Sequence, residues 1–412
     1  MRQYIRTISG LPAAVKWFLL TEMVFGLGSG IWSINLNFHL KSCGFIDVGI
    51  GSILAFGFVT TALFSFFAGG LCDRIGFHPA MLYGCVIKGA GMIVIAFSHN
   101  PVLAYTGFLI MSLGDSFVLS SEFPFIVSLV EEKLKSTVYN LLICSFLFAM
   151  FFGNIAGGYL PGMANGNGNI YFVPVLLSGI LFVLLGIARS ALPKRKMEYA
   201  SKKISFEVLK DKKILMFLLY GLTMSMAFNI LASMLNIIYR DSFNLKDNTV
   251  GLIFSVATVV MFLSSFMVPV IIQRWKSENA AIAAMALNIP ILFVMSVAGL
   301  KLFVPLWILY SFLRLTLPGT VESRMLQSIP EEKQGSFSGM RIFSNSIGMG
   351  IGSTLAGVLL EYSHYSLILL CCAFFTLLQL TVYLFGCRKH LCQGMAAECS
   401  PIGPAGAAST GE

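Results

Sequence analysis

Charged residues lie within apolar stretches that are long enough to cross a bilayer, and five of them stand out: Glu22, Asp115, Glu122, Arg314 and Glu322. A charge at the middle of a membrane helix costs about 2.5–3.5 kcal/mol on insertion scales, so each one requires a partner, an aqueous cavity or a use. A buried carboxylate that loses its cationic partner takes up a proton, whereas an arginine pairs with a carboxylate or binds an anion. These residue types predict ion pairing, with proton uptake as the chemistry that follows.

Arg314 is the first candidate partner. In an internal repeat with an offset of 200 positions, Arg314 corresponds to Gly114, which directly precedes Asp115. We hypothesise that Arg314 pairs with Asp115 or Glu22 across a central cavity. The carboxylate that loses this partner in one conformation would then take up a proton. The alternative is a permanent structural ion pair, and the sequence leaves both open.

The other charged residues are expected to have simpler roles. Glu122 and Glu322 lie nearer the water and are interpreted as gate or surface partners, with Lys133 and Arg324 as candidate cations. Lys88 lies at the middle of an apolar run, and its charge must face the bundle or an acid.

The repeat itself is a constant offset of 200 positions between matching residues. It relates Glu122 to Glu322, Ser128 to Ser328, Glu131-Glu132-Lys133 to Glu331-Glu332-Lys333, Ala156-Gly157 to Ala356-Gly357, Ser33 to Ser233 and Arg74 to Arg274. A spacing that is held over this distance indicates a duplicated half. We therefore predict two similar units joined near residue 200.

The composition predicts the elements that carry these residues. Of the 412 residues, 57% are hydrophobic and 11% are charged, whereas about a quarter of the residues in soluble domains are charged. Twelve apolar runs have the length of about 20 residues that spans a bilayer. Because lipid cannot satisfy backbone hydrogen bonds, these runs must be helices. The predicted fold class is an all-α membrane protein with twelve transmembrane helices in two pseudo-symmetric six-helix halves.

The net charge of +9 comes from basic residues that follow the positive-inside rule, which argues against a nucleic-acid partner. Their distribution predicts a multi-pass protein of the cell membrane with both termini cytoplasmic. The expected parts are a first half over 1–190, a basic cytoplasmic linker over 191–212, a second half over 213–390 and a disordered tail over 391–412.

Two spans carry matching polar stripes. In the first span the stripe consists of Glu22, Gly26, Ser29, Ser33 and Asn37, which share one helix face. In the seventh span it consists of Ser225, Asn229, Ser233, Asn236 and Arg240. A stripe of four turns on both repeats favours a helix that lines a water-filled cavity, so Ser29, Ser33, Asn37, Asn229, Ser233 and Asn236 are candidate substrate contacts. The alternative is hydrogen bonding between packed helices.

The segment between the second and third spans is the most recognisable. Gly69, Leu71, Asp73, Arg74 and Gly76 resemble the loop signature of the major facilitator superfamily, although Phe77 and His78 stand where that family has a basic pair. The charged turn over residues 329–336 resembles another turn of the same family. The resemblance implies that Gly69, Asp73, Arg74 and Gly76 help to close the cytoplasmic side.

The resemblance also implies a function. The family's spans one, four, seven and ten line a central cavity, and in this chain these are the spans that carry the charges. We therefore expect a secondary active transporter of a small solute that works by alternating access, as a proton-coupled symporter or antiporter. An uncoupled uniporter and a non-transporting sensor or scaffold are the alternatives. No catalytic motif occurs, so we expect no enzyme, cofactor or metal, and we expect a monomer.

Overall fold

The computed structural model describes residues 10–163, 168–194, 209–274, 277–316, 318–362 and 364–391. Their secondary structure is helical and includes twelve long helices, labelled in chain order. The first six are α1 (Ala13–Ser42), α2 (Asp47–Ile75), α3 (Phe77–Ala96), α4 (Pro101–Ser128), α5 (Glu132–Met163) and α6 (Phe172–Arg189). The second six are α7 (Lys212–Ala232), α8 (Asp247–Arg274), α9 (Ser277–Val297), α10 (Leu300–Thr316), α11 (Glu331–Tyr362) and α12 (Tyr365–Thr381).

Eleven of the spans among the described residues have both the length and the hydropathy to cross a membrane. The exception is α10, which has 17 residues and is followed by the short helix Pro318–Gln327. Residue 317, between these two helices, lies outside the described residues. Together the two helices occupy the place of the expected tenth span.

Two other spans end irregularly. After α7 the chain continues through the short helix Leu235–Ile237 and a π-helical turn, Ile238–Ser242. After α12 it continues through a second π-helical turn, Val382–Cys387.

Local sequence signals define several helix ends. The Asn100 side chain accepts a hydrogen bond of 2.9 Å from the Leu103 amide, and Pro101 occupies the first turn of α4. Asp211 caps α7 in the same way through the Lys213 amide at 2.9 Å. Both residue types are preferred at this position, because their side chains satisfy amides that the helix itself leaves unpaired.

The two halves consist of α1–α6 and α7–α12. Across the halves, α2 packs against α11 and α5 packs against α8. Glycines permit this approach: a Cβ atom on Gly51 would lie 2.6 Å from the Ser353 carbonyl oxygen, and one on Gly158 would lie 2.8 Å from that of Asp247. Small residues at such crossings are typical of packed membrane helices.

The bundle has two ends, which we call the linker end and the distal end. The linker end is where α6 ends at Arg189 and α7 begins at Lys212. The distal end is where α1 ends at Ser42 and α2 begins at Asp47. Most of the predicted linker and tail lies outside the described residues, as does the side chain of Asp73, so the domain boundaries stay predictions.

Candidate functional site

A buried arginine joins three helices of the first half near the linker end. Arg189, at the end of α6, has no exposed surface. Its Nη2 donates a hydrogen bond of 2.7 Å to Glu22 Oε2 on α1, and its Nη1 lies 2.8 Å from Glu122 Oε1 on α4. The second contact has the distance of an ion pair but not the alignment of a hydrogen bond, since Glu122 Oε1 has no hydrogen-bond partner among the described residues. Two carboxylates therefore share one guanidinium.

The surroundings of Arg189 are mostly apolar. The guanidinium carbon lies 4.7 Å from the centre of the Phe18 ring and 5.8 Å from that of Phe25. Its Nη1 lies 3.6 Å from Cys85 Sγ, and its Nε donates to Thr21 Oγ1 at 3.3 Å. Since little water reaches this site, the charges are screened weakly and depend on one another.

A second ion pair lies in the same half, farther from the linker end. Lys88 Nζ on α3 is 2.6 Å from Asp115 Oδ1 on α4. The ammonium also lies 4.8 Å from the centre of the Phe25 ring and 4.6 Å from that of Phe182. The expectation that Lys88 faces the bundle or an acid is confirmed, and the acid is Asp115. Phe25 contacts both Lys88 and Arg189, so the two ion pairs are neighbours.

We call these five groups the charge network: Glu22, Lys88, Asp115, Glu122 and Arg189. The network contains three acids and two bases, so one negative charge is uncompensated when all five groups are ionised. Bringing one proton into the network would cancel that charge.

The predicted pairing of Arg314 with Asp115 or Glu22 is wrong in this conformation. Arg314 Nη2 donates a hydrogen bond of 2.5 Å to the Met224 carbonyl, and its guanidinium carbon lies 5.2 Å from the centre of the Phe228 ring. Its Nε is buried without a partner among the described residues. The physical reason is that Arg314 packs against α7 of its own half, while both acids bind cations of theirs.

The expected partners of the two repeated glutamates are also corrected. Glu122 binds Arg189 rather than Lys133, and Glu322 binds Arg341 on α11. Arg324 instead binds Glu278, and its Nη1 lies 3.1 Å from Glu278 Oε1. The sequence interpretation missed Arg189 because a cation at the end of an apolar run is also typical of a basic linker. The available signal was that the run of α6 reaches this residue without interruption.

The polar stripes of α1 and α7 meet between the halves. Asn37 Nδ2 donates to the Ser233 carbonyl at 2.6 Å and to Asn236 Oδ1 at 2.8 Å. In return, Asn236 Nδ2 donates to the Ile34 carbonyl at 3.0 Å. These reciprocal bonds hold α1 against the end of α7, so part of the stripe joins helices.

Beside these bonds lies a central cavity of about 180 Å³. Five of the six candidate contacts line it: Ser33, Asn37, Asn229, Ser233 and Asn236. Ser29 is half-buried and is not among the lining residues. The remaining wall is apolar or aromatic and consists of Trp32, Leu36, Leu54, Phe58, Ala232 and Phe254. The described lining therefore includes no ionisable side chain.

The lining hydroxyls and amides differ in how far their bonds are satisfied. Ser33 Oγ donates to the Gly30 carbonyl at 3.0 Å. Asn229 Nδ2 donates to the Met349 carbonyl at 2.7 Å and to Ser353 Oγ at 2.5 Å. Ser233 Oγ, in contrast, is buried without a partner among the described residues. An unsatisfied buried hydroxyl is unfavourable, so Ser233 is the lining group best placed to bind a ligand.

Ion pairs close the distal end above this cavity. Lys41 Nζ lies 2.9 Å from Asp47 and 2.7 Å from Asp241 of the other half. Arg240 binds Asp241 at 2.9 Å, and its Nη1 donates to the Tyr171 hydroxyl at 3.1 Å. These contacts connect the two halves, so the distal end is closed in this structure.

At the linker end, the predicted loop is shorter than expected. The helix α2 continues to Ile75, and α3 begins at Phe77, so Gly76 alone forms the break. Its φ of +92° is a conformation that glycine adopts without strain. Arg74 is exposed, and Gly69 lies within α2. The role of Gly69, Asp73, Arg74 and Gly76 in closing this end stays a prediction.

The fold and the cavity define a polytopic helical membrane protein with two similar halves around a central site. Residues 18–353 match the Major Facilitator Superfamily, so the chain belongs to that superfamily. This membership indicates a membrane transporter rather than an enzyme.

Relatives and solved structures are similar at low identity. Multidrug resistance protein MdtH of Cronobacter sakazakii is 22% identical over 157 residues, which are 37% of this chain and 39% of the relative. Azole resistance protein 1 of Saccharomyces cerevisiae is 25% identical over 177 residues, 41% of this chain and 29% of the relative. The matches thus span well under half of these relatives.

The solved structure of nucleoside transporter NupG superposes with a TM-score of 0.71 at 12% identity, covering 90% of this chain and 98% of that one. A mutant of the same transporter gives a TM-score of 0.73 at 13% identity, with coverages of 90% and 99%. At these identities the similarity establishes the fold.

Proposed function

We propose that this protein is a secondary transporter that moves a small solute across the cell membrane by alternating access. The observation that carries the proposal is the central cavity, which lies between the halves and is closed at the distal end by the Lys41–Asp241 ion pair and the Asn37–Asn236 hydrogen bonds. Polar contacts of this kind can break and reform at small net cost, because water replaces them when the end opens. A multidrug resistance protein among the relatives and a nucleoside transporter among the similar structures support this activity.

The proposed solute is uncharged. A charged solute would lose its hydration in the cavity, and no ionisable side chain of the described lining would compensate that loss. The lining instead offers hydroxyls and amides for hydrogen bonds, together with aromatic rings such as Trp32 and Phe254 for a flat apolar face. A neutral molecule with a few polar groups on an apolar frame fits this chemistry.

We also propose that transport is coupled to protons through the charge network. Glu22 and Asp115 keep the role that the sequence predicted for them, while Arg189 and Lys88 replace Arg314 as their cations. Because Arg189 and its two acidic partners lie on three different helices, a movement of α1 relative to α4 and α6 would change how the guanidinium is shared. A carboxylate that loses its share would bind a proton and release it on the return movement.

The orientation proposed here places the linker end in the cytoplasm, in agreement with the positive-inside rule. Trypsin should cleave the basic linker over 191–212 in inside-out vesicles and leave it intact in sealed right-side-out vesicles. Cleavage in the right-side-out vesicles alone would reverse the assignment.

Purified protein tests the proposal in two steps. A thermal-shift screen compares neutral nucleosides, sugars and neutral lipophilic compounds with organic acids and lipophilic cations, and we expect stabilisation by neutral compounds. Uptake of the best ligand into proteoliposomes is then measured with an imposed pH gradient, with the gradient collapsed by a protonophore, and in liposomes without protein. Accumulation that requires the gradient supports coupling.

The other outcomes are equally informative. Uptake that ignores the gradient would identify a uniporter in which the charge network is a permanent structural ion set, a role that its confinement to one half also permits. Ligand binding without uptake would identify a sensor or scaffold and would contradict the proposed transport.

A further inference from the structure

A groove on the second half lies apart from the central cavity. It runs between the first turns of α7 and the π-helical turn that follows α12, and it encloses a volume of about 600 Å³. Its lining includes Lys212, Met216, Phe385, Gly386, Lys389 and His390. Since α7 begins here and α12 ends here, the groove lies at the linker end of the bundle.

The rim of the groove is basic. Lys212 and Lys389 are exposed and His390 is half-buried, and the ion pairs of the described residues do not involve any of the three. The two lysines belong to helices that are far apart in the sequence, yet both line the same space. Cations without an acidic partner at the end of a membrane helix lie at the depth of lipid headgroups.

The floor of the groove is apolar. Met216 is half-buried, and Phe385 is 86% exposed, which is the largest exposure among the large apolar residues described. A Cβ atom on Gly386 would lie 3.0 Å from Met216 Sδ, so the glycine keeps the floor open. The π-helical turn contributes as well, because such turns widen a helix and often occur at functional sites.

A basic rim above an apolar floor matches one class of molecule. A soluble anion would use the lysines but leave Phe385 and Met216 without an apolar partner. A lipid with an uncharged headgroup would use the floor but leave the lysines unpaired. An anionic phospholipid satisfies both, since its phosphate and its acyl chain are joined at the membrane surface.

We propose that this groove binds an anionic phospholipid of the leaflet on the linker side, with the phosphate between Lys212 and Lys389 and an acyl chain over Met216 and Phe385. Bound in this way, the lipid connects the start of α7 to the end of α12. The proposal does not depend on the solute or on proton coupling.

The test uses purified full-length protein in detergent, to which phosphatidylglycerol or phosphatidylcholine is added. Native mass spectrometry counts the lipids that stay bound, and thermal unfolding measures the stabilisation. We expect selective retention of phosphatidylglycerol. Lys212→Gln and Lys389→Gln should each weaken retention by about 5-fold, the effect of one lysine near an anionic membrane surface.

Three further variants make the test specific. The Lys212→Gln, Lys389→Gln double variant removes two exposed lysines from the groove. As a control, Lys246→Gln with Lys301→Gln removes two exposed lysines at the distal end and should leave retention unchanged. Gly386→Leu fills the groove without changing the charge and should reduce retention as much as the lysine changes do. Unfolding without added lipid shows whether each variant is folded.

Three results would overturn the proposal. The first is equal retention of phosphatidylglycerol by the Lys212→Gln, Lys389→Gln double variant and the distal control. The second is that the unmodified protein retains phosphatidylcholine as well as it retains phosphatidylglycerol. The third is the same stabilisation by inorganic phosphate alone, which would identify a site for a free anion instead of a lipid.

Discussion

The two halves have the same order of helices but bury different charges. In the first half Glu122 belongs to the charge network, which involves α1, α3, α4 and α6. In the second half its repeat Glu322 binds Arg341 on α11, and Arg314 binds a backbone carbonyl of α7. The duplicated scaffold therefore kept one acid in both halves, while the partners of that acid diverged.

The residues at the corresponding repeat positions of the second half differ from those of the network. Leu222 stands at the position of Glu22, and Asn288 stands at the position of Lys88. Asn288 is buried, and its Oδ1 has no partner among the described residues. A half without these groups has no shared guanidinium, so a proton-dependent step is expected in the first half alone.

The largest expected effect is a difference in stability between variants of the two buried arginines, Arg189 and Arg314. Arg189→Leu leaves Glu22 and Glu122 buried without a cation, so the free energy of unfolding should fall by about 3–5 kcal/mol. Arg314→Leu removes one hydrogen bond to a carbonyl and should cost about 1–3 kcal/mol. Thermal or denaturant unfolding in the same detergent measures both. Equal losses would contradict the distinction between a shared and a solitary arginine.

The example of Arg189 also shows where sequence reasoning stops. Hydropathy and the 200-residue repeat predict the fold, because the length of each span and the duplication can both be identified in the sequence. The stripes of α1 and α7 are predictable for the same reason, since spacing places residues on one face. Ion partners are different, because they depend on how helices rotate and pack.

Arg314 illustrates the same limit from the other side. It corresponds to Gly114 in the repeat, which suggested Asp115 as its partner, but it donates to the backbone carbonyl of Met224, a group that every residue type carries. Lys88 could be predicted to face an acid, yet the choice of Asp115 required the packing of α3 against α4. Sequence therefore predicts which charges need partners more readily than which partners they have.

A second prediction compares the acids of the two halves in transport. Glu22→Gln removes the uncompensated negative charge of the network, so proton binding should no longer be coupled to solute movement. Accumulation driven by a pH gradient should fall by about 5–150-fold, the range of typical coupling free energies, while solute exchange continues. Glu322→Gln should accumulate solute normally. Proteoliposome uptake checks both, and a matching loss in the two variants would remove the first half's special role.

The contacts between the halves give a third prediction. Asn37→Ala removes two hydrogen bonds across the interface and leaves Asn236 Oδ1 with the Ile237 amide alone, which should disfavour the closed distal end by about 1–3 kcal/mol. Lys41→Ala removes ion pairs that are partly accessible to water and should have a smaller effect of about 0.2–1 kcal/mol. Spin labels at Ser42→Cys and Ser242→Cys report the distance across this end. A larger opening in the lysine variant would reverse the ranking of the two contacts.

The smallest expected effect concerns the repeated serines of the central cavity. Ser233 Oγ has no partner among the described residues, whereas Ser33 Oγ already donates to the Gly30 carbonyl. Ser233→Ala should therefore weaken binding of the solute by up to about tenfold, the value of one neutral hydrogen bond. Ser33→Ala should change the solute affinity little, because its hydroxyl is not available to the solute.

Ligand titrations followed by thermal shift or calorimetry measure these affinities, and the stability without solute provides the control. Since removing an unsatisfied hydroxyl relieves a desolvation cost, Ser233→Ala should unfold no more easily than the unmodified protein. Reduced stability together with unchanged affinity would show that Ser233 joins helices instead of binding solute. The packing interpretation of the polar stripes would then hold for the second half as well as for Asn37 in the first.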